Sequence, residues 1–281
     1  MGSSGEQRNA TETSPPVHRP ARGRFAVQVF GELLITVGLV VLLFVFYTLH
    51  VTDLFTARQQ AEAGRELQQR WQERGPQPIT EPVVPVAGEG FAQLHIPRFG
   101  PDYRFTVLEG TDQDTLAAGP GHYASTALPG ERGNFAVAGH RIGRGAPFND
   151  LDELESCDAL VVETVAAWYV YRVLPMADEA IGWTGRGGDP RCAGVAPIGP
   201  PYDAAVGRRV VDPSSGEVIH PVPGAPLGVL PPDRRTRLIT LTTCHPEFSA
   251  AQRLIVHGVL AAQYPKDAAH PELRPPELEE R

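Results

Sequence analysis

One cysteine near the end of the chain raises the first chemical question. In the stretch Thr240–Arg253 (TLTTCHPEFSAAQR) a β-prone run, Arg237 to Thr243, ends on Cys244, and an arginine follows nine residues after it. A lone cysteine is more often a small buried apolar residue than a nucleophile. Cys244, however, lies at the polar edge of its run, behind Thr242 and Thr243, where a sulfur can open onto a cleft. A nucleophilic thiol needs a base or cation that favours thiolate and a donor for the oxyanion formed in acyl transfer. If Arg237–Thr243 pairs with Arg253–Leu260 through the loop between them, the hairpin brings Arg253 to Cys244. Its fixed charge and forked donors then suit a substrate carbonyl. A surface ion pair at a strand edge is the plainer alternative for that arginine.

A base has four candidates: His122, His140, His245 and His257. His245 adjoins the cysteine, but successive strand residues point apart, so adjacency is weak support. His257 lies inside the last strand-like run and reads as a packed residue. His140 ends the run Asn134–Gly139, a second strand terminus delivering a polar side chain. The His and Cys spacings match no common metal-site pattern, so no metal is expected. Three cysteines, Cys157, Cys192 and Cys244, form neither a disulfide framework nor a CxxC zinc pair.

The elements that must position these residues are mostly short strands. Runs of β-branched and aromatic residues at Phe91–Ile96, Arg104–Leu108, Asn134–Ala138, Ala159–Thr164, Trp168–Leu174, Arg237–Thr243 and Arg253–Leu260 are separated by turn residues. With helical turns only at Asp112–Ala118 and Pro147–Leu154, they suggest a closed or nearly closed β-barrel. A long Gly/Pro-rich stretch from Pro175 to Arg237 shows no periodicity.

Upstream, Leu33 to Leu49 is 17 residues without a charge. With its extension from Phe25 it approaches the roughly 20 residues that cross a bilayer. Arg19, Arg22 and Arg24 precede it and Asp53 is the first charge after it, so the positive-inside rule places the N-terminus in the cytoplasm. A cleaved signal peptide fits less well, because the nearest small-residue site, Ala61-Glu62-Ala63, comes too late. The expected organisation is a disordered cytoplasmic tail (1–24), a transmembrane anchor (25–52), an extracytoplasmic stalk (53–90), a barrel domain (91–263) and a flexible tail (264–281). A net charge of −8 argues against a nucleic-acid partner.

Three stretches together resemble the sortases, membrane-anchored cysteine transpeptidases of Gram-positive surfaces. TLTTC (Thr240–Cys244), Arg253 nine residues on, and GNFAVAGHR ending in His140-Arg141 follow that family's motif order. The phrasing of GPGHYASTALPGERGNFAVAGHR, GAPFNDLDEL and TLTTCHPEFSA is most similar to class E. The resemblance covers about Phe91 to Ala262 and implies an eight-stranded β-barrel. It implies Cys244 as nucleophile, His140 as acid and base, and Arg253 as substrate-positioning and oxyanion donor. Thr242 and Thr243 would line the substrate, with the Thr243 hydroxyl near the oxyanion, and Tyr123 would bond the Ala position of a Leu-Ala-x-Thr-Gly or Leu-Pro-x-Thr-Gly signal. The implied partners are secreted proteins carrying that C-terminal signal, a peptidoglycan precursor amine (lipid II) and membrane lipid, with no cofactor. A different extracytoplasmic cysteine peptidase or acyltransferase, or a non-catalytic surface-binding barrel, is the alternative. One departure is the long connection 175–209, which includes Trp183, Arg186, Arg191 and Cys192. It reads as a loose insertion, with a lid over the site as the other reading; whether Cys157 and Cys192 pair stays open.

Overall fold

The computed structural model describes residues 22–47, 52–74, 84–266 and 273–280. The disordered tail expected before residue 22 and most of the Pro-rich spacer after Arg74 lie outside the described residues. The chain divides into two compact units, Met1–Phe46 and Tyr47–Arg281. In the first, the described residues form helix α1, Arg22–Phe46. Its stretch Phe25–Phe46, 22 residues, is long and apolar enough to cross a membrane.

The second unit is built on nine strands: β1 (Gly90–His95), β2 (Arg104–Glu109), β3 (Gly121–His122), β4 (Gly133–Ala138), β5 (Ala159–Glu163), β6 (Ala167–Val173), β7 (Arg208–Val211), β8 (Arg237–His245) and β9 (Gln252–Pro265). Their order is β6-β5-β1-β2-β3-β4-β8-β9-β7, and an added β6–β9 pairing joins the sheet to itself. Eight strands therefore close an antiparallel-rich barrel, with β7 as an appendage on the first half of β9. Closure removes the free edges that an open sheet would expose.

The barrel interior is filled by alternate residues of each strand. Phe135 and Val137 of β4, Ile239 and Leu241 of β8, and Leu254 and Val256 of β9 share one core with Leu94, Val107, Leu160, Tyr171 and Phe148. Residues of the other parity face outward. Over the β8–β9 region, that outer face is covered by chain from the two long connections, β6 to β7 and β7 to β8. Leu174, Tyr202, Ala205, Val222, Ala225 and Leu238 form one apolar cluster there, and Val211, Val218 and Ile255 form another.

The helix-forming segment after residue 52 becomes α2, Thr52–Arg74, and differs from the expected free stalk. It packs on the barrel because β3 is too short to pair all of β2. The open edge of β2 at Thr106 is closed by one side chain. The Gln60 amide donates to Thr106 O (3.2 Å) and Ala118 O (2.8 Å), while Thr106 N donates to Gln60 Oε1 (2.8 Å). At Gly119 a Cβ would lie 1.9 Å from Gln60 Nε2, so only glycine admits this contact. Leu67 is buried beneath the helix and Arg70 donates to Gly90 O at 2.7 Å.

The tail also differs from the flexible end expected over 264–281. Residues 273–280 lie on the barrel because the guanidinium of Arg172, buried on β6, needs anionic partners. Its Nη2 donates to Glu280 Oε1 at 2.7 Å and its Nη1 to Cys157 O at 3.1 Å, while Tyr264 donates to Glu277 Oε1 at 3.1 Å. Leu278 packs against Ala159, Val161, Trp168 and Val170.

The 175–209 connection is tied down rather than loose. Cys157, at the start of β5, forms a disulfide with Cys192, with Cα atoms 5.0 Å apart. Val195 and Trp183 bury the bridge, and Trp183 Nε1 donates to Val195 O at 2.8 Å. Arg191 reaches Asp158 (3.3 Å) and Asp189 (2.8 Å), and Arg186 reaches Glu155 (2.8 Å). Bridging a separation of 35 residues contributes about 4 kcal/mol in the chain-entropy account. Alkylating the denatured, unreduced protein should therefore add one label, at Cys244, and prior reduction should raise the mass by three. Three labels without reductant would exclude the bridge. Cys192→Ser should lower the urea midpoint by a shift corresponding to most of that stabilisation.

Candidate active site

Three neighbouring strands converge at one end of the barrel. β4 and β8 run parallel with Ala138 opposite Thr242, and the backbone ladder continues one step further, Gly139 N donating to Thr242 O at 3.1 Å. β8 and β9 run antiparallel with Cys244 directly opposite Arg253. His140 follows Ala138 by two residues and Cys244 follows Thr242 by two. The shared register therefore delivers His140, Cys244 and Arg253 side by side at the ends of adjacent strands.

Alternation decides which face they use. On β8, Ile239 and Leu241 point into the core, so Thr240, Thr242 and Cys244 point outward; on β9, Leu254 and Val256 point in, so Arg253 points outward. Gly139 faces the core, where a Cβ would lie 2.5 Å from the Phe148 ring. Phe148, in the loop after His140, can pack there only against glycine. Its backbone N also donates to His140 O at 3.0 Å, which folds that loop back beneath the site. His140 then faces the opposite way from Gly139, outward with Cys244 and Arg253.

Cys244 is a free, partly exposed thiol. His140 is half-buried, and burial first and the Arg144 guanidinium second hold its imidazole below the usual histidine value of 6.5. It is therefore neutral at pH 7 and able to accept a proton from a thiol. Arg253 donates from Nη1 to Ala250 O and Gln252 O, both at 3.0 Å, so in the free protein its fork rests on the carbonyls of its own loop.

One step along the same outer face, the Tyr123 hydroxyl meets Thr242 Oγ1 at 3.0 Å. Tyr123 is held there by its backbone N, which donates to Ala136 O at 3.0 Å. A further step along, the buried Thr240 hydroxyl donates to Asn134 Oδ1 (2.7 Å) and accepts from His257 Nδ1 (2.8 Å). Asn134 in turn donates to His220 O at 3.1 Å and fastens the 216–220 segment over the strands. Burial drives the His257 imidazole down to about 3, so it stays uncharged and structural. Thr242 and Tyr123 thus lie between Cys244 and the buried Thr240–Asn134–His257 set on the same outer face.

The structure separates the sequence candidates. It brings together His140, Cys244, Arg253, Thr242 and Tyr123. Thr243 lies on the inner side, and its hydroxyl donates to Gly139 O at 2.8 Å. That hydroxyl therefore fastens β8 to β4 instead of reaching the oxyanion position expected for it, because neighbours on a strand face opposite ways. His122 is buried, with Nδ1 2.7 Å from Glu109 Oε2 and its ring between Phe91 and Phe135. His245 contacts Arg141, not the thiol. Among the described residues no group of three His, Cys, Asp or Glu side chains is placed to hold a metal ion. Arg141 and Arg144, both beside His140 in sequence, were not singled out as site residues by sequence reasoning; only their adjacency to a strand-end histidine signals them.

If the Arg144 charge helps keep His140 neutral, an NMR titration of the His140 ring should show a midpoint below 6.5, and Arg144→Ala should move it upward. A midpoint above 6.5, or one lowered by Arg144→Ala, would contradict this electrostatic picture.

Comparison with known proteins identifies the family. The sortase-domain profile matches residues 94–261. Sortase SrtE1 of Streptomyces coelicolor is 34% identical over 262 residues, 90% of this chain, and the chain spans 62% of that relative's length. Sortase SrtE2 of the same organism is 31% identical over 86% of this chain and 85% of its own. Among solved structures, the SrtF sortase of Corynebacterium diphtheriae superimposes with a TM-score of 0.62 at 42% identity, over 74% of this chain and 98% of its own. The SrtA sortase of Actinomyces oris gives a TM-score of 0.51 at 32% identity, over 72% of this chain and 93% of its own. With a cysteine, a histidine and an arginine on three adjoining strand ends of such a barrel, the chain belongs to the sortase family, with the class E sortases SrtE1 and SrtE2 among its similar relatives.

Proposed function

We propose that the protein is a membrane-anchored cysteine transpeptidase that cuts a C-terminal sorting signal and joins the released protein to a cell-wall precursor amine. The observation that carries this reading is the convergence of Cys244, His140 and Arg253 on one outward face through the β4–β8–β9 register. His140, neutral in the free protein, takes the Cys244 proton as sulfur attacks the carbonyl of Thr in a Leu-Ala-x-Thr-Gly or Leu-Pro-x-Thr-Gly signal. The tetrahedral oxyanion receives the Arg253 guanidinium. Collapse breaks the Thr–Gly bond, and the imidazolium gives its proton to the departing glycine amine, leaving a thioester on Cys244. An incoming amine of a lipid II-type precursor then attacks the thioester and loses its proton to His140, which returns it to the sulfur. No net oxidation or added cofactor is needed. Tyr123 and Thr242, one step from the nucleophile, hold the residue in the second position of the signal, Ala in the preferred substrate.

The Phe25–Phe46 helix serves as a single-pass anchor, with the N-terminus in the cytoplasm and the barrel outside. The Cys157–Cys192 disulfide supports that side, since such bonds persist in oxidising compartments and are rare in the cytosol.

The direct test uses the full chain in detergent with a fluorogenic Leu-Ala-x-Thr-Gly peptide and a small amine. Product joining peptide to amine should form, and Cys244→Ala should reduce it by about a thousandfold or more. Absence of turnover with either sorting peptide would refute the assignment. In the same assay Tyr123→Phe should lower the Leu-Ala to Leu-Pro rate ratio; an unchanged ratio would remove Tyr123 from specificity.

A further inference from the structure

The backbone ladder between β4 and β8 stops short of the reactive residues. Its last bond is Gly139 N to Thr242 O at 3.1 Å, and the Thr243 hydroxyl adds a tie to Gly139 O at 2.8 Å. Beyond that point no β4–β8 backbone hydrogen bond fixes His140 against Cys244. One further bond crosses between these two chain segments. Arg141, next after His140, places Nη1 2.8 Å from Nδ1 of His245, next after Cys244.

Arg141 is unusual for an arginine. It is only 4% exposed, so it is not available to the substrate as a surface cation. Its Nη2 donates to Asp152 Oδ2 at 2.8 Å and lies 3.7 Å from Glu247 Oε1, both half-exposed carboxylates. Its Nε is buried without a partner. Burying a guanidinium and leaving one N–H unmet is costly, and the carboxylates alone could be met by an arginine at the surface. The placement instead lets one planar fork tie its own loop after β4 to two other segments, the 151–153 turn through Asp152 and the end of β8 through His245. The bond to His245 also needs an unprotonated Nδ1, so the imidazole serves Arg141 as an acceptor.

We propose that Arg141 is the positioning residue of the site, and that its bond to His245 sets the separation of the His140 imidazole from the Cys244 sulfur. His245, which looks idle beside the nucleophile, is the anchor of that bond. A lysine cannot replace the arginine, because an ammonium carries no planar fork to reach Asp152 and His245 together. The rate readout rests on the transpeptidase reading, whereas the thiol readout does not.

The test uses the full-length protein and five variants, with two measurements besides thermal stability. The first is the rate of Cys244 alkylation by iodoacetamide as a function of pH, which requires no sorting peptide. The second is kcat and KM with the sorting peptide. Arg141→Met should change the pH profile of alkylation and lower kcat about 10- to 100-fold, with KM held within about threefold, as expected when reacting groups are misaligned. Arg141→Lys should not restore either. His245→Asn, which keeps an acceptor oxygen where Nδ1 lies, should remain within about threefold of wild type, whereas His245→Leu should reproduce Arg141→Met. The double variant Arg141→Met/His245→Leu should be no worse than either single one. A wild-type alkylation profile in Arg141→Met overturns the proposal, as does equal damage from His245→Asn and His245→Leu. If Arg141→Met fails to fold, the His245 pair decides the same question with the charge left in place. If the wild-type protein leaves the sorting peptide uncut, the function assigned above fails while the alkylation profiles still judge Arg141.

Discussion

The site depends on the register between β4 and β8. Parallel pairing with Ala138 opposite Thr242 is what makes the two strand ends coincide, and a slip of one residue would destroy it. Such a slip of β8 would turn Cys244 toward the core and push Ile239 and Leu241 outward, at about 1.5–3 kcal/mol for each side chain lost from burial. The apolar alternation therefore does more than fill the barrel. It fixes the face on which the thiol emerges, and the same alternation in β9 sends Arg253 to that face. Reactive geometry is inherited from core packing at strand positions that never touch the reacting atoms.

The outer face of these strands changes character along its length. Near the strand ends it is open and carries the reactive groups. At the middle it is polar, with Thr240, Asn134 and a neutral His257 bonded to one another. Farther on it is apolar and covered by the two long connections. Within this string Asn134, Thr240 and His257 Nδ1 are joined donor to acceptor, while the buried His257 Nε2 has no partner. The string anchors the 216–220 segment over the strands through Asn134. The disulfide and its surrounding ion pairs hold the 175–209 connection to the start of β5 in a similar way, with an extended segment fastened at a few points.

Much of this was legible before any coordinates. Seven β-prone runs gave seven strands, and the Cys244–Arg253 pairing followed from one expected hairpin. The two strands that escaped notice have clear reasons. β3 is two residues long, and β7 is a four-residue run inside a Gly/Pro-rich stretch, so neither produces a detectable alternation. The docking of α2 and of the tail was also invisible, because each depends on a single long-range need: the open edge at Thr106 and the buried charge of Arg172. Thr243 was misjudged for a more elementary reason, since chain adjacency to a nucleophile on a strand means facing away from it. The pairing of Cys157 with Cys192 depended on how a connection of low periodicity folds back, and sequence alone left it undecided.

Under the proposed function, Arg253 would favour the transition state without holding the substrate too tightly. In the free protein its Nη1 lies on two neutral carbonyls, those of Ala250 and Gln252. A substrate carbonyl is another neutral acceptor, so exchanging one for the other brings little gain. Once sulfur has attacked, that oxygen carries negative charge, and the guanidinium bond, already charge-assisted from the donor side, gains the attraction of a full ion pair. The exchange becomes favourable only as the tetrahedral species forms. Loop carbonyls that compete for the arginine in the ground state thus convert a general attraction into a selective one, which is what raises kcat rather than merely lowering KM.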